Sequence, residues 1–299
     1  MSALHTEAIE LAHPDGGPEP RVAVVMITWN RRDEVLKTLG EMSRLPERPS
    51  IVLVDNGSAD GTAEAVAARF SSALVVRAGR NMGAAARTVG ARRVVAPYIA
   101  LCDDDTWWEP GSLRRVADLF DAQRRLAVVT ARVLVGEEQR EDPICDVLTR
   151  NSLPRDEAMP GPSLLGFLAG ASVVRRSAFL ESGGYEERLH VGGEEALLAV
   201  DIASRGGWIC FVPELTVHHH PSPNRDVVDR RATIIRNALW FAWMRRPVRV
   251  AFETLGSLRS PAGRRAIAAA LRGLPWALRN RRALPADVER GLYLLEGGR

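Results

Sequence analysis

The chain has 299 residues, 46% of them hydrophobic and 26% charged, enough for one large or two small domains with a real core. Its net charge of +3 and three widely spaced cysteines (Cys102, Cys145, Cys210) exclude a strongly polyionic protein, a disulfide framework and a cysteine zinc site, and point to a reducing compartment. No basic-then-apolar leader opens it and no apolar run is long enough to span a bilayer, so a cytoplasmic protein is expected.

Residues 1–20 lack any apolar period and read as a disordered leader. Arg21 to Thr28 is a continuous apolar run, the pattern of a strand buried on both faces of a parallel sheet. It breaks at Trp29-Asn30-Arg31-Arg32, and a helix follows with Val35 or Leu36, Leu39 and Met42 at helical spacing, ended by Pro46 and Pro49. Ile51 to Val54 is a second strand, stopping at Asp55-Asn56-Gly57-Ser58; the next helix runs through Thr62, Val66 and Phe70. Leu74 to Val76 is a third strand, followed by the turn Arg80-Asn81-Met82-Gly83 and a small-residue helix over Ala84 to Val95. Tyr98 to Cys102 is a fourth strand that ends in Asp103-Asp104-Asp105, with Trp107 and Trp108 behind it. A helix through Leu113, Val116 and Leu119 and a strand from Leu126 to Thr130 come next.

This alternation predicts an α/β protein with an open, mostly parallel sheet flanked by helices. In such sheets ligands bind beyond the carboxyl ends of the strands, where all four polar clusters fall. Three adjacent carboxylates at a buried strand end repel one another unless a cation or donors sit beside them. Mg²⁺ or Mn²⁺ held by one or two carboxylates and by substrate phosphates answers that need; a solvated acidic turn is the plainer alternative. The first turn has no glycine, which disfavours a dinucleotide or P-loop cradle, so arginines such as Arg80 and Arg87 would neutralise phosphates.

From Val133 to Pro162 the chain is charged and proline-rich and reads as loops over the site. Gly166 and Gly170 interrupt the apolar run Leu164 to Val174, marking either close approach to a ligand or a break in structure. Glu194 and Glu195 open a helix, as a capping pair or as ionised functional acids. A strand from Trp208 to Val212 precedes His218-His219-His220, one of which is a candidate ligand. Residues 223–299 read as a helical, basic C-terminal extension. Its arginines and Trp276 suit either an anionic membrane surface or a cap on the main domain or on a second copy, and the cap is preferred. Nucleic acid is not expected, since no binding motif accompanies the arginines.

The sequence resembles the family 2 glycosyltransferases, an inverting group with the GT-A fold, and within them the rhamnosyl- and galactofuranosyltransferase-like members. The resemblance runs over 21–222 and rests on VVMITWNR (Val24–Arg31), VLVDNGSADGT (Val52–Thr62), RNMGAAART (Arg80–Thr88), YIALCDDD (Tyr98–Asp105), GGYEERL (Gly183–Leu189), GGEEALL (Gly192–Leu198) and HHHPS (His218–Ser222). It implies a GT-A domain and a nucleotide-diphospho-sugar donor, UDP- or dTDP-linked, bound by Thr28, Trp29, Asn30, Asp55 and Asn56. Arg80, Asn81, Gly83, Arg87, Asp103, Asp104 and Gly170 would also lie along that donor. It implies Mn²⁺ or Mg²⁺ on Asp105, with Asp103 and His219 as further ligands. Glu195 takes the place of the general base, where the family usually has Asp, and Glu194 is its alternate. The acceptor would be a glycan or a lipid-linked sugar at the inner face of the plasma membrane, and the extension would be a candidate membrane or homodimer contact. A non-catalytic nucleotide-sugar-binding subunit is the alternative in a different class. A nucleotidyltransferase is disfavoured by the missing glycine-rich first loop.

Overall fold

The computed structural model describes residues 19–221 and 230–298. Most of the expected leader and the expected boundary at 222/223 lie outside the described residues. The elements in chain order are β1 (Val22–Thr28), α1 (Arg32–Met42), β2 (Ser50–Asp55), α2 (Thr62–Arg69), β3 (Ala73–Arg77), α3 (Ala86–Ala91), β4 (Tyr98–Asp103) and β5 (Thr106–Trp108). Then come α4 (Ser112–Ala122), β6 (Leu126–Val135), β7 (Arg140–Glu141), α5 (Ile144–Thr149), β8 (Ser172–Arg175), α6 (Arg176–Glu181), α7 (Glu194–Ala203) and β9 (Trp208–His219). The C-terminal extension is helical: α8 (Arg230–Arg245), α9 (Val248–Glu253), α10 (Pro261–Arg279) and α11 (Ala286–Leu295).

The strands form one sheet in the order β3-β2-β1-β4-β8-β6-β9-β5, with β7 beside β6. The half from β3 to β4 is parallel throughout, as the apolar runs predict. Beyond β4 the sheet is mixed, because β8 runs antiparallel to both β4 and β6 while β6 and β9 are parallel. Val22 to Met26 of β1 and Val52 to Val54 of β2 are almost wholly buried, sandwiched between helices on both faces. Burying each such side chain stabilises the fold by about 1.5–3 kcal/mol. Helix α3 comes unusually close to that layer at Gly90, where an added Cβ would lie 2.5 Å from Val25 Cγ1. The three cysteines are buried and free.

Several local expectations change. His218 and His219 lie on β9, because its second half pairs with β6 (His218 with Leu134) and β5 (His219 with Thr106). The segment Val133 to Pro162 is not all loop: β6 continues to Val135, and β7 and α5 follow. The helix expected from Ala84 begins as a 3-10 turn, Gly83–Ala85, and ends at Ala91.

The extension packs on the main domain. Trp240 and Met244 of α8 and Trp276 and Ala277 of α10 form a second small core with Leu189 and Leu197. Arg245 makes a two-pronged ion pair with Asp201 of α7 (2.6 and 2.8 Å), and Arg246 bridges Glu289 of α11 and Glu296 just past its end. Among the described residues no helix is long and apolar enough to cross a membrane.

Candidate active site

The parallel register builds the site. Thr28 pairs with Asp55 and Ile27 with Asp103, so β1, β2 and β4 end level and their following residues share one rim. That rim borders a cleft of about 1000 Å³. Its walls include Thr28, Trp29, Asn30 and Asn56 from the first two strand ends, and Asn81, Gly83 and Arg87 from the segment after β3. Asp103, Asp104 and Asp105 line it from β4, Gly170 from the turn before β8, Glu194 and Glu195 from α7, and His219 from β9.

Two expected residues do not line it. Asp55 is buried behind Asn56, with Oδ1 accepting the Ser58 N–H (3.1 Å), so its carboxylate shapes the turn. Arg80 stands exposed outside the cleft, in an ion pair with Glu187. Gly166 has open space around it, whereas a Cβ on Gly170 would lie 2.5 Å from Asp103 Oδ2. Gly170 is therefore the glycine whose bareness the Asp103 side chain requires.

The aspartates are each held differently. Arg31 Nη1 donates to Asp104 Oδ1 (2.5 Å) and to Asp105 Oδ2 (3.1 Å). Thr28 Oγ1 donates to Asp104 Oδ2 (2.9 Å). Burial pushes the Asp104 carboxyl up to about 7; Arg31 pulls it down and the Asp105 charge adds to the rise. Asp103, half-exposed at the cleft, accepts from the buried Arg87 guanidinium. His218 is engaged elsewhere, by Glu109 and Gln139 and stacked on Trp107, and His220 packs tilted against the same ring.

The glutamates have a different setting. Gly192 (φ 87°) and Gly193 (φ 94°) turn the chain into α7 and place both acids in its first turn. The helix dipole favours their ionised forms, but burial wins. It raises both carboxyls, Glu194 to about 7 with the neighbouring Glu195 charge adding to the rise. Glu194 Oε2 is buried with no hydrogen-bond partner, while Glu195 is half-buried at the cleft wall. A carboxylate whose proton affinity burial raises suits proton abstraction from a hydroxyl.

Residues not anticipated complete the walls. Arg31 neutralises two of the three aspartates; its place directly after Asn30 and its charge were the available signal. His190 (φ 61°) also lines the cleft, and its carbonyl accepts the Ala84 N–H (3.0 Å). A Cβ on Gly83 would lie 2.1 Å from that carbonyl, so the turn after β3 and the loop before α7 touch only because position 83 is glycine. From the extension, buried Asn237 donates through Nδ2 to the carbonyls of Leu189 (2.8 Å) and Gly192 (2.6 Å), holding the same loop from behind.

A divalent cation can be tested against this donor set. Among the described residues no group of three or more His, Cys, Asp and Glu forms a ready-made cage. Asp105 Oδ1 and His219 Nε2, however, stand 3.7 Å apart. Two bonds of about 2.1 Å to one ion span that gap, and Mg²⁺-type ions take their remaining ligands from water and substrate phosphates. The residues fit a site that a diphosphate completes.

A family model described as glycosyl transferase family 2 matches residues 23–183. The N-acetylglucosaminyl-diphospho-decaprenol L-rhamnosyltransferase of Mycobacterium tuberculosis is 26% identical over 279 residues, covering 79% of this chain and 91% of that protein. The pre-mycofactocin glycosyltransferase of the same species is 27% identical over 233 residues; the match covers 74% of this chain but spans only about half (48%) of that protein. Among solved structures, GalNAc-T7 with UDP, GalNAc and Mn²⁺ superposes with a TM-score of 0.57 at 17% identity, over 76% of this chain and 48% of that one. The mannosyltransferase PcManGT from Pyrobaculum calidifontis, with GDP-Man and Mn²⁺, gives 0.56 at 18% identity, over 94% of this chain and 76% of its own. At these identities the structural likeness speaks for the fold.

Proposed function

The chain belongs to glycosyl transferase family 2, and from that premise we propose that it transfers a sugar from a nucleoside-diphosphate donor to a hydroxyl of a lipid-linked or glycan acceptor. The reaction is a single displacement that inverts the anomeric carbon. The observation that carries this reading is the pairing, in one cleft, of arginine-held aspartates with a glutamate pair raised toward neutrality. The lipid-linked acceptor is favoured by the rhamnosyltransferase relative, whose name specifies a diphospho-decaprenol acceptor.

The nucleoside lies along Thr28, Trp29, Asn30 and Asn56. Trp29, 46% exposed at the cleft mouth, offers a ring face to the base. UDP- and dTDP-sugars are the donors to try first, with GDP-sugars as the comparison. Arg87 and the Asn81–Gly83 turn border the diphosphate. Asp105 and His219, with Asp103 beside them, are the residues to hold Mn²⁺ or Mg²⁺, which when bound stabilises the departing diphosphate charge. Glu195 accepts the acceptor hydroxyl proton as the oxygen attacks, and Glu194 beneath it tunes that carboxylate. The proposed location is the cytoplasm, at the inner face of the plasma membrane.

A non-catalytic donor-binding subunit would have no use for a buried acid raised to about 7, with no partner for its Oε2, beside a second acid raised by burial. The test is release of nucleoside diphosphate from a panel of UDP-, dTDP- and GDP-sugars by the purified chain, with Mn²⁺ and a polyprenyl-diphospho-sugar acceptor. Acceptor-dependent release with one nucleotide class, and a product of inverted anomeric configuration by NMR, are expected. Donor binding without release from any donor would support the subunit instead.

A further inference from the structure

The C-terminal extension has two faces of different chemistry. The inner face of α10, with Trp276 and Ala277, packs through α8 onto Leu189 and Leu197, the residues on either side of the Glu194–Glu195 pair. Trp276 is therefore an inward anchor. The outer face exposes Arg264, Arg265, Leu271, Arg272, Leu278 and Arg279. At about 100° per residue these six fall within one arc of roughly 140°. Leu271 is 60% exposed and Leu278 46%. Residues 254–286 contain seven arginines and no Asp or Glu. Of the acids nearest in sequence, Glu253 pairs with Arg249, Glu289 and Glu296 pair with Arg246, and Asp287 lies in the first turn of α11.

We propose that the outer face of α10 docks on an anionic lipid bilayer. Its arginines match lipid phosphates, and its two leucines, along one edge of that arc, supply the apolar side chains that an interfacial helix buries below the headgroups. A nucleic-acid surface would have no use for two exposed leucines beside its arginines. Helices α10 and α8, each about 10 Å thick, then stand between the membrane and the segments flanking Glu194 and Glu195. An acceptor sugar on a polyprenyl diphosphate protrudes from such a surface on the side of the proposed base. This deepens the proposed acceptor class and rests on it for its purpose; the binding itself does not depend on it.

The experiment is flotation of the full chain with vesicles of phosphatidylcholine alone or mixed with phosphatidylglycerol, at about 0.1 M and about 1 M salt. Binding to anionic vesicles only, weakened at high salt, is expected. At about fivefold per arginine, Arg272→Gln/Arg279→Gln loses roughly 25-fold in partition with an unchanged melting temperature. Leu271→Ser/Leu278→Ser also loses binding, which separates insertion from bare attraction. Equal binding to neutral vesicles, or parental binding by both double variants, overturns the proposal. So does a dimer, or an oligonucleotide complex, that the arginine variant abolishes while no vesicle is bound. The vesicles carry neither donor nor acceptor, so their failure leaves the transfer reading standing, and an absence of transfer leaves the vesicle result standing.

Discussion

Two groups of acids line one cleft and are stabilised in opposite ways. Asp103, Asp104 and Asp105 end a buried strand, and each is met by a guanidinium, Arg87 or Arg31. Glu194 and Glu195 begin a helix, and among the described residues no ion pair is made with either; burial raises both. Burial raises Asp104 and Glu194 alike, each to about 7; what differs is that guanidinium groups face the aspartates and none is paired with the glutamates among the described residues. The first suits holding cations and phosphates, the second moving a proton. The difference arises from neighbours rather than from the acids themselves.

The largest expected effect comes from removing the most buried of the cation-facing groups. Asp105→Ala is expected to lower turnover by about a thousandfold or more, on the scale of lost preorganised charge stabilisation. Activity within about tenfold of the parent would mean that the aspartate side does not carry the donor. Next is Arg31→Ala, which leaves Asp104 and Asp105 buried without their guanidinium. A loss of about 2 kcal/mol is expected, below that of a fully buried pair because Arg31 is partly exposed, and Mn²⁺ should restore much of it. A melting temperature unchanged by Arg31→Ala and unmoved by Mn²⁺ would break the contrast between the two groups.

The glutamate side predicts a pH effect. The Glu194 carboxyl is raised from 4.5 to about 7, so the pair keeps a proton below that range and becomes a competent base above it. The transfer rate should climb as pH rises through about 7. The stability this carboxyl contributes is present below its ordinary range and lost as pH rises toward 7. Glu194→Gln removes that loss, so at pH near 8 its melting temperature should exceed the parent's by about 2 °C or more. A flat rate profile from about pH 6 to 8 would contradict the burial argument. The smallest effect is expected at Asn237, which holds the loop leading to the pair rather than the pair itself. Asn237→Ala should lower kcat about five- to tenfold with the donor KM unchanged, the signature of a base set slightly out of place. A raised donor KM with kcat intact would instead assign the extension to donor binding.

The parallel half of this architecture was legible because parallel strands are buried on both faces. VAVVMIT and SIVLVD announce themselves as apolar runs, and the polar residue after each must fall at the same rim. The convergence of Thr28, Asn56 and the aspartates follows directly. The other half was not legible. β5 is three residues between an acid triplet and Glu109, and β9 continues into histidines; pairing, not local pattern, makes both of them strands. Side-chain direction was equally hidden. Asp55 and Arg80 belong to the right turns but point away from the cleft. Arg31, one residue beyond the expected Asn30, reaches across to the aspartates. Asn237 left a faint trace, a polar residue on the apolar stripe of Ile234, Leu239 and Trp240; what it holds is a loop some 45 residues earlier.

The most direct test of the contrast is Glu195→Gln, measured for donor binding and for transfer on the same preparation with Mn²⁺ present. The substitution keeps the shape of the cleft wall and leaves every aspartate–arginine pair intact. The nucleotide-sugar Kd should stay within about twofold of the parent while kcat falls about 10²- to 10⁴-fold. Transfer at the parental rate, or donor affinity lost together with transfer, would contradict the assignment of the two acidic groups to separate tasks.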